Sequence, residues 1–170
     1  MFMHTIAFFT DEKQKEKWLY KALETNIIGC YAQTELGHGS NVNGLETTAT
    51  FDLSTDEFVV HTPTIRATKF WPGTLGVNAT HAIVFCRLKI KGKDYGVQPF
   101  VIQVRSMKDH KALPGVEVGD IGVKIGQNSM DNGYLSFNQV RIPRENLLAR
   151  FIGVDKEGVF KVKGDPRITF

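Results

Sequence analysis

Hydrophobic periodicity changes once along this chain, near Asn26, and that change limits the fold more than any other feature of the sequence. Before it, Thr10-Asp11-Glu12-Lys13 has the form of a helix start, with Thr10 as N-cap and acids in the first turn. Trp18, Leu19, Ala22 and Leu23 make an apolar stripe. The spacing predicts one amphipathic helix from Asp11 to Glu24. After Asn26 the patterned segments are short and β-prone, and turn residues bound them. Thr47 to Leu53 and Glu57 to Ile65 flank Ser54-Thr55-Asp56 as a hairpin would, and Ala79 to Ile90 and Tyr95 to Arg105 flank Lys91-Gly92-Lys93-Asp94 in the same way. Tyr134 to Ile142 reads as a further strand stopped by Pro143. Several short strands with turns between them predict a mainly β fold, a sandwich or barrel, with one amino-terminal helix. The polar, weakly patterned stretch from Gly153 to Phe170 reads as a linker or an incomplete connection.

At 170 residues, 42% hydrophobic and 23% charged, the chain supports one globular domain with a full core, to which twelve Phe contribute bulk. A net charge of +3 with scattered Lys and Arg gives no basis for nucleic-acid binding. Lys89, Lys91 and Lys93 alternate as on a solvated strand edge. Cys30 and Cys86 each sit in an apolar run, so they read as buried free thiols of a reducing compartment. His61, His81 and His110 lack partners at metal-ligand spacing, and no metal site is expected. No apolar run approaches the ~20 residues of a membrane span, and Met1-Phe2-Met3-His4 lacks the pattern of a signal peptide.

Chemistry concentrates in Tyr31-Ala32-Gln33-Thr34-Glu35-Leu36-Gly37-His38-Gly39-Ser40-Asn41, where a β-prone run (Asn26 to Ala32) meets a loop carrying hydroxyl, amide, carboxylate and imidazole groups among glycines. Gln33 and Thr34 offer directional hydrogen bonds at the strand's end. Gly37 and Gly39 would allow positive φ or a close approach to a flat ligand. A decorated turn has the same composition. Gly37-His38-Gly39-Ser40 is no nucleophile elbow, since the middle serine of Gly-x-Ser-x-Gly is missing, and no Gly-x-Gly-x-x-Gly opens a helix.

This segment, with Gly44 to Thr50, Phe70-Trp71-Pro72-Gly73, Leu113 to Val116, Gly119-Asp120-Ile121-Gly122, Met130 to Leu135 and Arg141 to Asn146, resembles the middle β-domain of the peroxisomal acyl-CoA oxidases. The blocks follow the family's order and cover roughly Gly29 to Phe151. The acyl-CoA dehydrogenases share the architecture, but the Gln-Thr-Glu-Leu-Gly-His-Gly and Trp-Pro-Gly forms look like the oxidase branch. The resemblance implies a β-barrel middle domain over residues 27–152, preceded in 1–26 by the end of an amino-terminal helical domain and followed in 153–170 by a linker. A carboxy-terminal helical bundle, which in the family supplies a glutamate base and much of the flavin site, is not in this sequence. No catalytic residue is therefore expected here.

The resemblance further implies FAD as cofactor, with Thr34 hydrogen-bonding the flavin ring, Gly73 approaching it through main chain, and Gln33 and Trp71 beside it. Trp71 serves equally well as core packing by residue type. His38 is read as part of the substrate loop, Ser40 and Asn41 either bind the pantetheine or phosphate part of an acyl-CoA thioester or form a plain turn, and Asp131-Asn132-Gly133, a turn by composition, would by the resemblance lie near the acyl-CoA pocket. The implied reaction takes a fatty acyl-CoA to trans-2-enoyl-CoA, with the electrons passing from flavin to molecular oxygen as hydrogen peroxide. The implied setting is a peroxisomal homodimer in the full-length protein, although Arg167-Ile168-Thr169-Phe170 is no Ser-Lys-Leu address. Two rival readings are a non-catalytic binding module on the same fold and the middle domain of a dehydrogenase.

Overall fold

The computed structural model describes residues 1–163. The amino-terminal region is helical in two pieces. α1 (Phe2–Phe9) buries Phe2 and Ile6, and a second helical run over residues 12–23 is built from α2 (Glu12–Gln14), a π turn (Lys15–Leu19) and α3 (Tyr20–Leu23). The predicted helix thus exists, with a further one before it. Its cap is Asp11, whose carboxylate accepts from Gln14 N at 2.9 Å, while Thr10 instead closes α1 by donating its hydroxyl to Ile6 O. The pattern missed α1 because His4 and Thr5 interrupt a short apolar stretch that becomes helical only by packing.

Strands follow in chain order: β1 (Gly29–Ala32), β2 (Thr48–Asp52), β3 (Glu57–His61), β4 (Lys69–Gly73), β5 (His81–Ile90), β6 (Lys93–Gln103), β7 (Val116–Asp120), β8 (Asn132–Phe137), β9 (Val140–Pro143), β10 (Ile152–Val154) and β11 (Phe160–Val162). Both predicted hairpins form, β2 with β3 and β5 with β6. Tyr134 to Ile142 is two strands rather than one. Gln139 takes φ 53 between β8 and β9, sending β8 to β4 and β7 and β9 to β3. Residues 153–163 are no plain linker: β10 and β11 form an antiparallel pair, Ile152 and Val154 join the core, and Phe160 meets the Tyr95 ring at 4.8 Å. The rest of that predicted linker lies outside the described residues.

The long strand β5 organises the six-stranded sheet. It pairs antiparallel with β6 on one edge, and on the other parallel first with β1 and then with β2. Its sequence His81-Ala82-Ile83-Val84-Phe85-Cys86 is buried throughout because both faces are covered. Ala82, Val84, Cys86 and Leu88 face a core closed by the three-stranded sheet β4-β8-β7, where Phe100, Leu135 and Phe137 also lie. Ile83 and Phe85 point the other way, into a second cluster with Phe2, Ile6, Trp18 and Ala22 of the helices. The architecture is mainly β, as expected, with the helical region laid over one face of the central strands.

At the seam between the two sheets lies a fully buried ion pair, Lys69 Nζ to Glu35 Oε1 at 2.9 Å. The Glu35 carboxylate also accepts from Glu46 N, Thr47 N and the Thr47 hydroxyl, at 2.7–3.0 Å. Burial pulls the Lys69 ammonium below the ordinary lysine value, against the opposing pull of Cys86 and Glu35. Removing one partner strands the other's charge. Lys69→Met should therefore lower stability by about 3–5 kcal/mol, and Glu35→Gln added to it should recover most of that loss, read by urea denaturation.

His81 opens β5 against the Trp18 ring at 5.8 Å, with Nδ1 3.0 Å from the Thr80 hydroxyl. Burial, helped by the Lys21 charge, lowers its pKa from 6.5 to about 4. The folded state thus stays neutral at His81 while the unfolded chain takes a proton, so stability falls as pH drops from 6.5 towards about 4. The expected loss is of order 2–3 kcal/mol. Denaturation midpoints across that window should flatten in His81→Gln; an equally steep profile would assign the loss to other groups.

Candidate functional site

After Ala32, opposite Val84, the chain leaves β5 and crosses to β4. There Phe70 N donates to Thr34 O and Leu36 N to Thr68 O, both at 3.0 Å. This crossing opens a cleft of about 530 Å³ between the sheets. Gln33 and Thr34 line it from one side, Phe70, Trp71, Pro72 and Gly73 from the other. Phe2 forms part of its wall, lying so close over Gly29 that a Cβ there would overlap the ring. Four predicted site residues, Gln33, Thr34, Trp71 and Gly73, therefore converge from segments nearly forty positions apart.

The β4 side of the cleft is a bulge. Phe70 pairs with Tyr134 and Gly73 with Asn132, so Trp71-Pro72 carries one residue more than the facing strand. Pro72 fits there, where no ladder donor is needed. Trp71 takes φ 82 and Thr74 φ 74, a left-handed conformation that bulky residues rarely adopt. The surroundings hold it in place. Asn132 Nδ2 donates to Trp71 O at 2.7 Å, and Thr74 N donates to Asp131 O. As a result the Trp71 indole is 54% exposed rather than in the core. Strain of this kind, held by hydrogen bonds from outside, gathers at ligand sites.

Behind the bulge, residues 74–79 are clamped from both sides. The buried Arg105 guanidinium donates to the carbonyls of Leu75, Gly76 and Ala79 at 2.7–2.9 Å. The Asp131 carboxylate accepts from Val77 N, Asn78 N and Asn78 Nδ2 at 2.9–3.1 Å. Gly133 lets this loop lie on β8, since a Cβ there would come within 2.5 Å of Gly76 N. Asp131-Asn132-Gly133 is thus a scaffold for the cleft. Its Met130 neighbour lines the cleft, with Sδ 3.6 Å from where a Gly73 Cβ would stand.

The chemistry available is hydrogen bonding and stacking. Tyr31 hydroxyl donates to Gln33 Oε1 at 3.0 Å. That contact fixes the amide so that its nitrogen, like the Thr34 hydroxyl, is free of partners among the described residues and available to a ligand. Among the described residues, no Asp, Glu or His lines the cleft. Burial pushes the Cys30 thiol up to about 12 and raises the Tyr31 phenol, so neither is a base or nucleophile near neutral pH.

His38, Ser40 and Asn41 are not brought to this cleft. His38 Nε2 lies 2.9 Å from Glu46 Oε1, and the Glu46 carboxyl is held below its usual range by that contact, then by the Thr64 hydroxyl. Ser40 and Asn41 are exposed in the following loop. Gly37 and Gly39 do not take positive φ: the chain reverses through a short bridge between Glu35 and His38 that needs no left-handed residue. Sequence reasoning missed Lys69, Arg105 and Met130. Met130 does open one of the recognised sequence blocks, and Lys69 shares the inward parity of buried Ala67.

Comparison with known proteins matches this geometry to a family. The profile described as "Acyl-CoA dehydrogenase, middle domain" covers residues 30–140. Peroxisomal acyl-coenzyme A oxidase 1 of Arabidopsis thaliana is 56% identical over 98% of the chain, which corresponds to 26% of that protein. The solved Arabidopsis acyl-CoA oxidase 1 superposes with a TM-score of 0.96 at 55% identity, covering 98% of this chain and 26% of its own. Acyl-CoA oxidase-2 of Caenorhabditis elegans, solved with FAD, ascaroside-CoA and ATP, gives 0.95 at 48% identity over 97% of this chain and 25% of its own. The chain spans about a quarter of the length of the curated relatives it matches. Since the family profile covers residues 30–140, and with them the crossing after β1 and the β4 bulge that line the cleft, the chain belongs to the acyl-CoA dehydrogenase middle-domain family.

Proposed function

We propose that this chain is the flavin-facing wall of a peroxisomal acyl-CoA oxidase, which turns a fatty acyl-CoA into trans-2-enoyl-CoA and passes the electrons to molecular oxygen as hydrogen peroxide. The observation that carries the reading is the convergence of Gln33, Thr34, Trp71 and Gly73 on one cleft. The names of its relatives as peroxisomal oxidases support the setting, and the FAD and ascaroside-CoA in the nematode neighbour support the ligands. The homodimer expected of the full-length protein belongs to the same reading.

The residues present fit an isoalloxazine ring. Thr34 hydroxyl and Gln33 amide nitrogen would meet its polar edge, the turned-out Trp71 would offer a flat apolar face, and Gly73 would leave room for main-chain contact. When bound, FAD supplies the hydride-accepting chemistry of fatty acyl oxidation. The chain's own part is orientation. Among the described residues that line the cleft there is no Asp, Glu or His to take an α-proton, and burial keeps Cys30 and Tyr31 protonated, so in this reading the base comes from elsewhere in the full-length protein. Ser40 and Asn41, exposed beyond Glu35, remain our assignment for the acyl-CoA loop, with His38 tied to Glu46 beside them.

A single cleft encloses too little of a molecule the size of FAD for tight binding, so the 170-residue chain should bind FAD weakly. Titration followed by amide NMR shifts should move Thr34 and Gly73 first. Thr34→Val removes the hydroxyl and keeps the shape, and should weaken binding about 2- to 10-fold. Gly73→Val should abolish the response while the fold persists, because a Cβ there meets only Met130 Sδ, at 3.6 Å. Shifts confined to another face of the molecule would overturn the reading.

A further inference from the structure

We propose that Lys69 is the positioning residue of the cleft: its buried ammonium grips the crossing segment on both sides of Thr34 and so aims that residue at the ligand. The clause naming Thr34 as a ligand contact rests on the flavin reading above; the grip itself is geometric. Lys69 Nζ donates to Gln33 O at 3.1 Å, Glu35 Oε1 at 2.9 Å and Phe85 O at 2.7 Å, which uses all three of its hydrogens. Two of these acceptors belong to the residues before and after Thr34. The third lies on β5 just past Val84, where β1 stops pairing and before Arg87, where β2 begins.

The arrangement fixes the path of the chain as it changes sheets. On leaving β5, the crossing segment bonds the β4 side by main chain through Thr34 O, Leu36 N and, one residue on, Gly37 N to Arg66 O at 2.8 Å. Three main-chain bonds do not by themselves exclude a slip of register, and a slip of one residue would reverse which side chains face the cleft. Lys69 sits between two of the β4-side partners, Thr68 and Phe70, and reaches back across the seam. An apolar side chain of the same volume would fill that space without holding Gln33 or Glu35. Buried ion pairs are seldom more stabilising than such apolar replacements, and their best-attested use is to select one register. The Lys69–Glu35 pair has the geometry for that role.

The decisive variant is Glu35→Gln/Lys69→Met, which removes both charges and keeps volume, compared with the parent chain and with Lys69→Met alone. Three readouts are taken: thermal melting, amide hydrogen exchange at Leu36, Phe70 and Val84, and the FAD-induced shifts at Thr34 and Gly73. The double variant is expected to melt near the parent temperature with Val84 equally protected, while Leu36 and Phe70 exchange at least about tenfold faster. Its FAD response should weaken at least about tenfold, beyond the effect of losing the Thr34 hydroxyl alone. Unchanged protection at Leu36 and Phe70 overturns the proposal whatever the flavin does, and so does a double variant that fails to fold, since the pair would then be a stability element. Faster exchange at those two amides, in a protein whose parent shows no flavin response, supports the positioning role and removes the flavin reading instead.

Discussion

The structure depends on a change of partner along one edge of β5. β1 occupies that edge up to Val84 and β2 takes it over at Arg87, so the chain between them must leave the sheet. A gap in a buried sheet edge exposes backbone groups to an apolar interior, which is costly unless something pairs with them. Here Lys69 reaches the Phe85 carbonyl, while Glu35 gathers the amides of Glu46 and Thr47 at the entry to β2. The same departure that requires this polar plug is what separates the sheets and creates the cleft. Site and plug are consequences of a single topological event.

The opposite wall is built on a different device. β4 could have run straight, but one extra residue and two left-handed backbones turn Trp71 outward. Such conformations cost of order 1–3 kcal/mol each and persist only where the surroundings over-determine them. Asn132 and Asp131 supply that determination from the neighbouring strand, and Arg105 holds the loop behind it through three carbonyls. The result is a half-exposed aromatic held rigidly beside a residue without a side chain, at some expense to the free chain's stability.

Much of this was legible before any coordinates. The shift in periodicity near Asn26, both hairpins and the mainly β class follow from local pattern, because strand alternation and turn chemistry act over a few residues. Gln33, Thr34, Trp71 and Gly73 were recognisable from their sequence blocks, and the fold carries them to one place. The readings that failed were those where local pattern is ambiguous. A break at Gln139 looks like continued strand, residues 153–163 look like linker until β11 is seen to pair with β10 and Val154 to join the core, and of the two uses open to the glycines at 37 and 39 the positive φ is not taken up.

The sequence by itself determined the order of elements, the class of fold and the residue types available to a ligand, since these are written in spacing and composition. It could not show that Lys69 turns inward, that His38 is spent on Glu46, or that Asp131 and Arg105 brace a loop some fifty and thirty residues away. Those assignments depend on which side chains meet across sheets, at separations where local propensity carries no information. Only the tertiary structure decided them, because burial and hydrogen-bond satisfaction are properties of the assembled molecule.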